Sequence, residues 1–386
     1  MATTTNENTD LNRSLGALLG AGGTWTWAYV DASGDREDPQ HLAALQRRKA
    51  EDALRSAGAD ATTIDAVMAE LEEVPGVPAP VSRYVLLHDG EMVLNTVLPG
   101  HMHGPESVGC GPVPDLVPLL AHRPLDVPFI VAEVGREGGG FRVYRLGHAG
   151  PADEQRVQGR TDTLHFAKAG SGWKQQHWQQ HTEEIWKETS NEVAAAIDEC
   201  VRAVSPRLIV LAGDIKARGL LREQLSHEAR ALLSEVAVDP RSDDASAKAL
   251  VEHVDIALAR VVAQRRHDVE DLLRTHDGRG DGEVAAGVGP VVEALQQAQP
   301  AVVVLDPAGF GDRTVLALDA APWVATAPEQ SAGAGTLGPV PAAVGIVRAA
   351  LLTQAEVVYA NAAALPGGAP AAALLRWPVG PAVPRG

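Results

Sequence analysis

The chain has 386 residues, of which 45% are hydrophobic and 22% charged, a composition typical of a soluble globular protein of two or three domains. Its formal net charge of −17 excludes general coating of nucleic acid and leaves room only for a local basic surface. Two cysteines cannot form a disulfide framework and favour a reducing cytoplasm. The sequence predicts neither a signal peptide nor a membrane span, so no membrane partner is expected.

The first third of the sequence predicts a flexible N-terminus over residues 1–20 and an α+β domain over 21–125. A strand is expected at 24–31, because bulky and small residues alternate there. Two helices follow, and Asp89-Gly90 between two apolar runs predicts a β-hairpin. A proline-rich run then predicts the end of this domain.

The second part, residues 126–274, begins with two strands around Gly138-Gly139-Gly140, which predicts another hairpin. A glycine-containing loop at 167–177 precedes a helix that runs from about Gln176 to Val204, ~43 Å at 1.5 Å per residue. A buried strand and further helices follow, the last of them at 244–274. This alternation predicts an α/β fold for the central part.

The third part, residues 275–386, starts with "THDGRGDG" at 275–282, which has the composition of a linker. Helices at 283–298 and 340–353 then alternate with strands such as "AVVVLD" and "EVVYA". The pattern predicts a small α/β/α sandwich.

Several motifs allow an enzyme interpretation, and each has a plainer alternative. The stretch "GAGTLG" (333–338) matches a dinucleotide fingerprint, but a polar stretch precedes it where a strand is required. His177 and His181 are four residues apart on a predicted helix, yet no third zinc ligand is obvious. Asp306 and Asp312 bracket a glycine loop that favours a capped turn over paired-carboxylate chemistry. We therefore predict no metal and no cofactor.

The loop that enters the long helix, "FAKAGSGWKQQHWQQH", differs in charge from the rest of the chain. Residues 156–182 hold four Lys/Arg and three His against one acid, Asp162, which favours contact with phosphates. Glycines allow close approach to another surface, Trp173 can stack on a base, and glutamine amides donate and accept hydrogen bonds. The alternative is a solvated loop with its tryptophan folded onto the core. The candidate RNA-binding residues are Gly170, Ser171, Gly172, Trp173, Lys174, Gln175, Gln176 and His177, supported by Lys168, Arg160 and Arg156.

This order of hairpin, loop, long helix and buried strand resembles the central domain of the archaeal and eukaryotic class-one peptide-chain release factors and their relative Pelota. The segments that show this resemblance are "FRVYRLG", "AGSGWKQQHWQQHTEE", "LIVLAGD" and "IKARGLLREQL". The third part resembles the family's last domain, an α/β/α sandwich of the L7Ae type, through "VVEALQQAQPAVVVLD". The resemblance implies a three-domain release-factor-like architecture. Its bacterial members include the Balon-like ribosome hibernation factors and, more distantly, the Vms/ANKZF peptidyl-tRNA hydrolases.

Two departures from the family pattern bear on function. The loop reads Gly170-Ser171-Gly172 where release factors carry Gly-Gly-Gln, and the stop-codon motif Asn-Ile-Lys-Ser is absent. The resemblance therefore implies a cytoplasmic, non-catalytic hibernation factor that binds the vacant ribosomal A site and large-subunit rRNA, without stop-codon-dependent termination. It implies elongation factor Tu as a candidate partner, and no DNA. The alternative is a peptidyl-tRNA hydrolase of ribosome rescue, with Gln175 or Gln176 positioning the water.

Overall fold

The computed structural model describes residues 11–33, 39–72, 80–122, 127–135, 138–145, 151–158, 172–238 and 244–378. The chain forms two compact units. The first unit combines residues 1–125 with 265–386, and the central unit comprises residues 126–264. Within the described ranges, no helix is both long and apolar enough to cross a membrane.

The N-terminal segment of the first unit is α+β, as predicted. Its four described strands form an antiparallel sheet in the order β3-β2-β1-β4. Asp89, with φ 50°, and Gly90, with φ 82°, form the predicted hairpin turn between β2 and β3. The elements in chain order are α1 (Leu11–Gly20), β1 (Trp25–Asp31), α2 (Pro39–Ser56), α3 (Ala61–Glu72), β2 (Val81–His88), β3 (Glu91–Pro99), β4 (Ser107–Gly111) and α4 (Val117–His122).

The central unit is built on a mixed sheet in the order β7-β6-β5-β8-β9, in which β5, β8 and β9 are parallel. The predicted hairpin of β5 and β6 is present, but Gly138-Gly139-Gly140 belongs to the β6 strand and pairs with β5. The elements are β5 (Pro128–Gly135), β6 (Gly138–Arg145), β7 (Asp153–Gln158), α5 (Gly172–Val204), β8 (Leu208–Gly213), α6 (Ile215–Gln224), α7 (His227–Ala231), β9 (Leu233–Glu235) and α8 (Asp244–Arg279).

The C-terminal segment of the first unit contains the predicted α/β/α sandwich. Its main sheet has the order β10-β16-β11-β15, and a second, three-stranded sheet has the order β13-β12-β14. The elements are β10 (Val284–Ala286), α9 (Val288–Gln296), β11 (Pro300–Leu305), β12 (Thr314–Leu318), β13 (Val324–Ala325), β14 (Thr336–Pro341), α10 (Ala342–Leu352), β15 (Glu356–Tyr359) and β16 (Ala371–Leu375).

Helix α8 supplies one outer layer of that sandwich. Val269 and Leu273 near its C-terminal end are fully buried against Val304 and Val358 of the main sheet. The opposite face of the sheet packs against α9 and α10. The prediction had ended this helix at 274 within the central domain and placed a linker at 275–282. The structure corrects both, because α8 continues to Arg279 and residues 280–282 form a turn with two glycines at positive φ.

The first and last segments of the chain share one hydrophobic core. Side chains alternate across a strand, so Val85 and Leu87 face α2 and α3, whereas Tyr84 and Leu86 face the opposite way. That second face is buried in the same cluster as α9, α10 and β11. The two segments, predicted as separate domains, are therefore parts of one unit.

Helix α1 joins this shared core, which corrects the expectation of flexibility for its residues. Leu15 and Leu19 are 1% and 2% exposed and belong to the cluster that contains α10. Their spacing of four residues places them on one helical face. The polar residues before Asp10 dominated the composition of the segment and hid this stripe.

Candidate RNA-binding arm of the central unit

Helix α5 is the long helix that the sequence predicted, and it begins earlier than expected. It runs for 33 residues from Gly172, or about 50 Å at 1.5 Å per residue. Residues 172–177 were assigned to the loop and are helical instead. The physical reason is that Lys, Gln and Trp after Gly172 include good helix formers and no proline.

The C-terminal part of α5 anchors it to the sheet. Val193, Ile197 and Val201 are 1%, 0% and 2% exposed and pack in one cluster with strands β5, β6 and β8. This confirms the predicted burial of Ile197. Glu188 and Glu192, which precede the anchor, are exposed. The described part of α5 thus has a firm apolar attachment that starts at Val193.

A glycine in β6 allows the helix to approach the sheet closely. A Cβ atom added to Gly139 would lie 2.9 Å from Cγ1 of Val134 and 3.4 Å from Cγ2 of Val193. A larger residue would push α5 away from the hairpin. The glycine run therefore serves helix packing, a role that its sequence could not distinguish from a turn.

Polar contacts fix the same anchor to the following helices. Ser226 donates from its backbone N and its Oγ to the carboxylate of Asp198, with Oγ–Oδ1 at 2.8 Å. Ser226 also caps α7 by accepting from the N–H of Ala229 at 3.1 Å. One carboxylate on α5 thereby positions the start of the next helix.

The turn after β8 closes the carboxyl edge of the parallel strands. Gly213 has φ 115°, and a Cβ there would lie 1.9 Å from the carbonyl oxygen of Val134. Asp214 then caps α6 by accepting from the N–H groups of Lys216 and Ala217 at 2.9 and 3.2 Å. Position 213 therefore requires glycine, because a side chain there would collide with the backbone of Val134.

A buried arginine behind this turn was not predicted. Arg218 is 7% exposed and donates to the carbonyl oxygen of Gly213 at 3.1 Å and to Glu235 at 3.3 Å. The only sequence signal for the burial of Arg218 is its position four residues after Asp214, the residue that caps α6. Arg218 has a structural role, because both of its partners belong to the sheet edge.

Among the predicted basic residues, Arg156 is the one whose side chain the structure describes. Its guanidinium is 74% exposed and binds Oε1 of Glu154 at 2.8 and 3.0 Å. The hydrogen bond from Arg156 is the main cause that lowers the pKa of Glu154. To bind a phosphate, Arg156 must therefore either release Glu154 or hold the phosphate and this carboxylate together.

The rest of the predicted RNA-binding set cannot be given a geometry. Arg160, Lys168, Gly170 and Ser171 lie outside the described residues. The next residues, 172–177, are placed as helix backbone, and their side chains also lie outside the description. The side chains of His177 and His181, the candidate zinc ligands, also lie outside the described residues.

The central unit also offers no activated thiol. Burial raises the pKa of Cys200 to about 11, with a further contribution from the charge of Asp153. The side chain is part of the apolar cluster under α5. A thiol in that state is a core residue and a poor nucleophile.

The glycine motif of the first unit lacks the geometry of a dinucleotide site. Residues 333–338 run from a loop into strand β14, whereas the fingerprint requires a strand before the glycines and a helix after them. Asp319 accepts a hydrogen bond from the N–H of Gly335 at 2.8 Å and closes this loop. Residues 333–338 therefore form a closed turn that leads into a strand.

Asp306 likewise has the structural role that the sequence favoured. Its Oδ1 accepts from the N–H of Ala308 at 3.1 Å, and its Oδ2 accepts from the N–H of Ala362 at 2.8 Å. Both oxygens are used in fixing turns at the ends of β11 and β15. The residue is a cap and not one of a catalytic pair.

Comparison with known proteins identifies the class of the central unit. Residues 128–279 match the family described as bacterial archaeo-eukaryotic release factor family 2. The matched range starts at β5 and ends at the last residue of α8, so it includes α5 and the sheet that anchors it. This part of the chain is thus similar to that release-factor family.

Individual relatives are distant. An uncharacterized protein of Mycobacterium tuberculosis, Rv2629, is 23% identical over 286 residues, which cover 72% of this chain and 74% of that protein. The archaeal termination factor aRF1 is 13% identical, with a TM-score of 0.26 and coverage of 95% and 98%. Archaeal Pelota, in a ribosome-bound structure with ABCE1, is 12% identical, with a TM-score of 0.39 and coverage of 96% and 95%.

Proposed function

We propose that this protein is a ribosome-binding factor of the hibernation type. It binds the vacant A site, with helix α5 directed towards the peptidyl-transferase centre and residues 170–177 in contact with large-subunit rRNA. The observation that carries the proposal is the family match over residues 128–279. Elongation factor Tu is its proposed protein partner, and the cytoplasm its proposed location.

The charge distribution supports RNA as the ligand of residues 156–182, which we call the arm. Residues 156–182 carry four Lys/Arg and one acid in a chain of net charge −17. A surface of that sign gains affinity from release of counterions around phosphates. The rest of the chain, being acidic, is repelled by RNA, so the orientation of binding follows from the position of the basic segment.

The stiffness of α5 supports the reach of the arm. The helix is continuous from Gly172 to Val204, and among its described side chains the apolar anchor starts at Val193. About 20 residues precede that anchor, or roughly 30 Å at 1.5 Å per residue. A tip placed on such a helix can contact a surface distant from the sheet that holds it.

Ribosome co-sedimentation tests the binding surface. We expect binding that weakens steeply with salt, and a double variant Lys168→Glu with Lys174→Glu that weakens it further. The matched control is Lys216→Glu with Lys248→Glu, which makes the same charge change at two exposed lysines of the central unit. Equal loss in both double variants would show that net charge, and not the arm, governs binding.

A peptide-release assay separates the proposal from the hydrolase alternative. Purified protein should release no peptide from P-site peptidyl-tRNA beyond background, because the loop lacks Gly-Gly-Gln. Release that disappears in Gln175→Ala or Gln176→Ala would instead establish a peptidyl-tRNA hydrolase. Ribosome binding is measured in the same samples, so a protein that fails to bind is distinguished from one that binds without cleaving.

A further inference from the structure

The end of helix α8 and the turn into β10 bring an imidazole and two carboxylates together. Nδ1 of His276 lies 2.8 Å from Oδ2 of Asp281 and 3.3 Å from Oε2 of Glu283. All three ligand atoms lie within 4.8 Å of one another. Among the residues whose side chains the structure describes, no other three His, Cys, Asp or Glu side chains converge in this way.

The backbone of the turn determines this convergence. Gly280 and Gly282 have φ of 62° and 79°, in the left-handed region that glycine adopts without strain. Between them, Asp281 accepts a hydrogen bond from the N–H of Glu283 through Oδ1 at 3.1 Å. Its second oxygen, Oδ2, is thereby left facing His276. The stretch that composition assigned to a linker is a defined turn.

A proton on Nδ1 of His276 cannot form good hydrogen bonds to both carboxylates at once. A proton on Nδ1 can be donated to one carboxylate, and it leaves the other close to a like charge. Without that proton, the lone pair of Nδ1 faces two anions.

We propose that His276, Asp281 and Glu283 bind one divalent transition-metal ion, of which Zn²⁺ is the best fit. Zinc binds His nitrogen and carboxylate oxygen at about 2.0–2.2 Å. Two ligands at that distance lie about 3.0 Å apart at a right angle and about 3.4 Å apart at the tetrahedral angle. The observed separations from Nδ1 of 2.8 and 3.3 Å are close to these values.

The donor set and exposure define the kind of ion. An imidazole with two carboxylates suits zinc, cobalt, nickel or manganese, whereas calcium and magnesium favour sites made of oxygen alone. The three side chains are 20%, 30% and 43% exposed, so water can complete the coordination. The site lies in the first unit and is independent of the proposed function of α5.

Metal binding is expected to stabilise the first unit. The ion would join the end of α8 to the residue before β10, next to the layer in which Val269 and Leu273 are buried. A ligand that binds only the folded state raises stability by mass action. The unfolded chain separates His276 from Glu283 by a flexible, glycine-rich stretch and binds the same ion more weakly.

Metal titration of the full chain tests the site. After chelator treatment and buffer exchange, Zn²⁺ is titrated by calorimetry and Co²⁺ by visible absorption. We expect one equivalent, with affinity reduced more than about ten-fold in His276→Gln and less severely in Glu283→Gln. His267→Gln is the matched control, since His267 lies on the same helix with Nε2 3.2 Å from the single carboxylate of Asp271.

His177 and His181 of α5 are the alternative place at which zinc could bind. If the equivalent persists in His276→Gln and disappears in the double variant His177→Gln with His181→Gln, the proposal is wrong. No binding by the wild-type chain at micromolar zinc, with a folded protein confirmed by circular dichroism, would overturn it equally. Zinc should also raise the melting temperature of the wild type and of His267→Gln, but not of His276→Gln.

Discussion

The two units bury different kinds of residues. The cluster under α5 in the central unit is apolar, and among the described side chains this unit buries two that are charged, Arg145 and Arg218. The first unit buries six polar or charged side chains: Thr26, Thr63, Ser82, Arg83, Gln299 and Arg348. The central core forms within one continuous stretch, whereas the other joins two stretches distant in sequence. In the second case, Arg348 and Tyr359 of the C-terminal segment donate hydrogen bonds to the N-terminal segment.

Arg348 shows how such a bond connects the distant segments. It is 2% exposed and donates to the carbonyl oxygens of Leu19 at 3.1 Å and Leu318 at 3.0 Å. Leu19 is near the end of α1, and Leu318 is the last residue of β12. Burial lowers the pKa of Arg348 to about 10, so the guanidinium is still charged at neutral pH.

A second connection involves two tyrosines, of which Tyr84 is fully buried and Tyr359 partly buried. Tyr84 of β2 donates to the carbonyl oxygen of Asp115, and Tyr359 of β15 donates to that of Val117 at 3.2 Å. One tyrosine comes from each segment of the first unit, and the two acceptors, Asp115 and Val117, lie at the start of α4. The bond from Tyr359 connects the C-terminal segment to the N-terminal segment.

The largest expected effect is on the apolar core. Ile197→Ala should lower the free energy of unfolding of the central unit by about 2–5 kcal/mol, because it leaves a cavity under α5. Native-state hydrogen exchange should show the loss in β5 and β8 and unchanged protection in β11 and β16. Equal loss in both sheets would show that the two units unfold as one.

Trp173→Ala is the control on the same helix. We expect stability to change by no more than about 0.5 kcal/mol, as for a surface substitution. Ribosome affinity should fall by about 1–3 kcal/mol, the usual contribution of an aromatic side chain stacked on a base. An early-melting variant that binds ribosomes normally would place this tryptophan in the core and move the functional site elsewhere.

The next effect concerns the first unit. Arg348→Met keeps much of the side-chain volume and removes the donors to Leu19 and Leu318, so we expect a loss of about 2–3 kcal/mol. Hydrogen exchange should now increase in α1, β12 and β11, with β8 unaffected. Arg222→Met is the control, because Arg222 pairs with Glu235 while 52% exposed and should cost less than about 1 kcal/mol.

These differences explain which parts of the fold could be predicted. Val193, Ile197 and Val201 recur at helical spacing next to the buried strand "LIVLAG", so the order and type of the central elements follow from local patterns. The start of α5 was placed four residues late, because Gly172 reads as part of the loop and helix boundaries are the least certain feature of such patterns.

The union of the first and last segments could not be predicted in this way. Nothing near Val117 or Leu19 indicates that their partners, Tyr359 and Arg348, are more than 200 residues away, since periodicity reports which face is buried and not what covers it. The turn that we propose to bind a metal could not be predicted from composition for a related reason. Gly280 and Gly282 indicate a linker by composition, and only the backbone shows that they bring His276 to the carboxylates.

A smaller effect is expected at the tyrosine connection. Tyr359→Phe removes the hydrogen bond that Tyr359 donates to the carbonyl oxygen of Val117, which should cost about 1 kcal/mol. Because the ring is kept, no cavity forms. Denaturant unfolding followed by hydrogen exchange should place the loss in the first unit, and an equal change in β8 would contradict the assignment.

The smallest effect is a pH dependence at Asp115. Burial raises the pKa of this carboxyl, against the hydrogen bonds that it accepts from Ser107 at 2.7 Å and the N–H of Val117 at 3.1 Å. A raised pKa means that the folded state holds the proton more tightly than the unfolded state, whose value is about 3.9. The stability from this group is therefore fully present below about pH 4 and is lost as pH rises through the folded pKa.

Asp115→Asn removes that titration and keeps the shape of the side chain. The free energy of unfolding of the wild type minus that of the variant should therefore fall as pH is raised from about 3.5 to 7, and then become constant. Taking the difference cancels the other carboxylates that titrate in this range. The control is Asp60→Asn, since hydrogen bonds from Thr63 lower the pKa of Asp60 and give the opposite slope. A difference for Asp115→Asn that rises with pH would mean that hydrogen bonding outweighs burial at this site, and the first unit would then hold an ionised carboxylate in its interior.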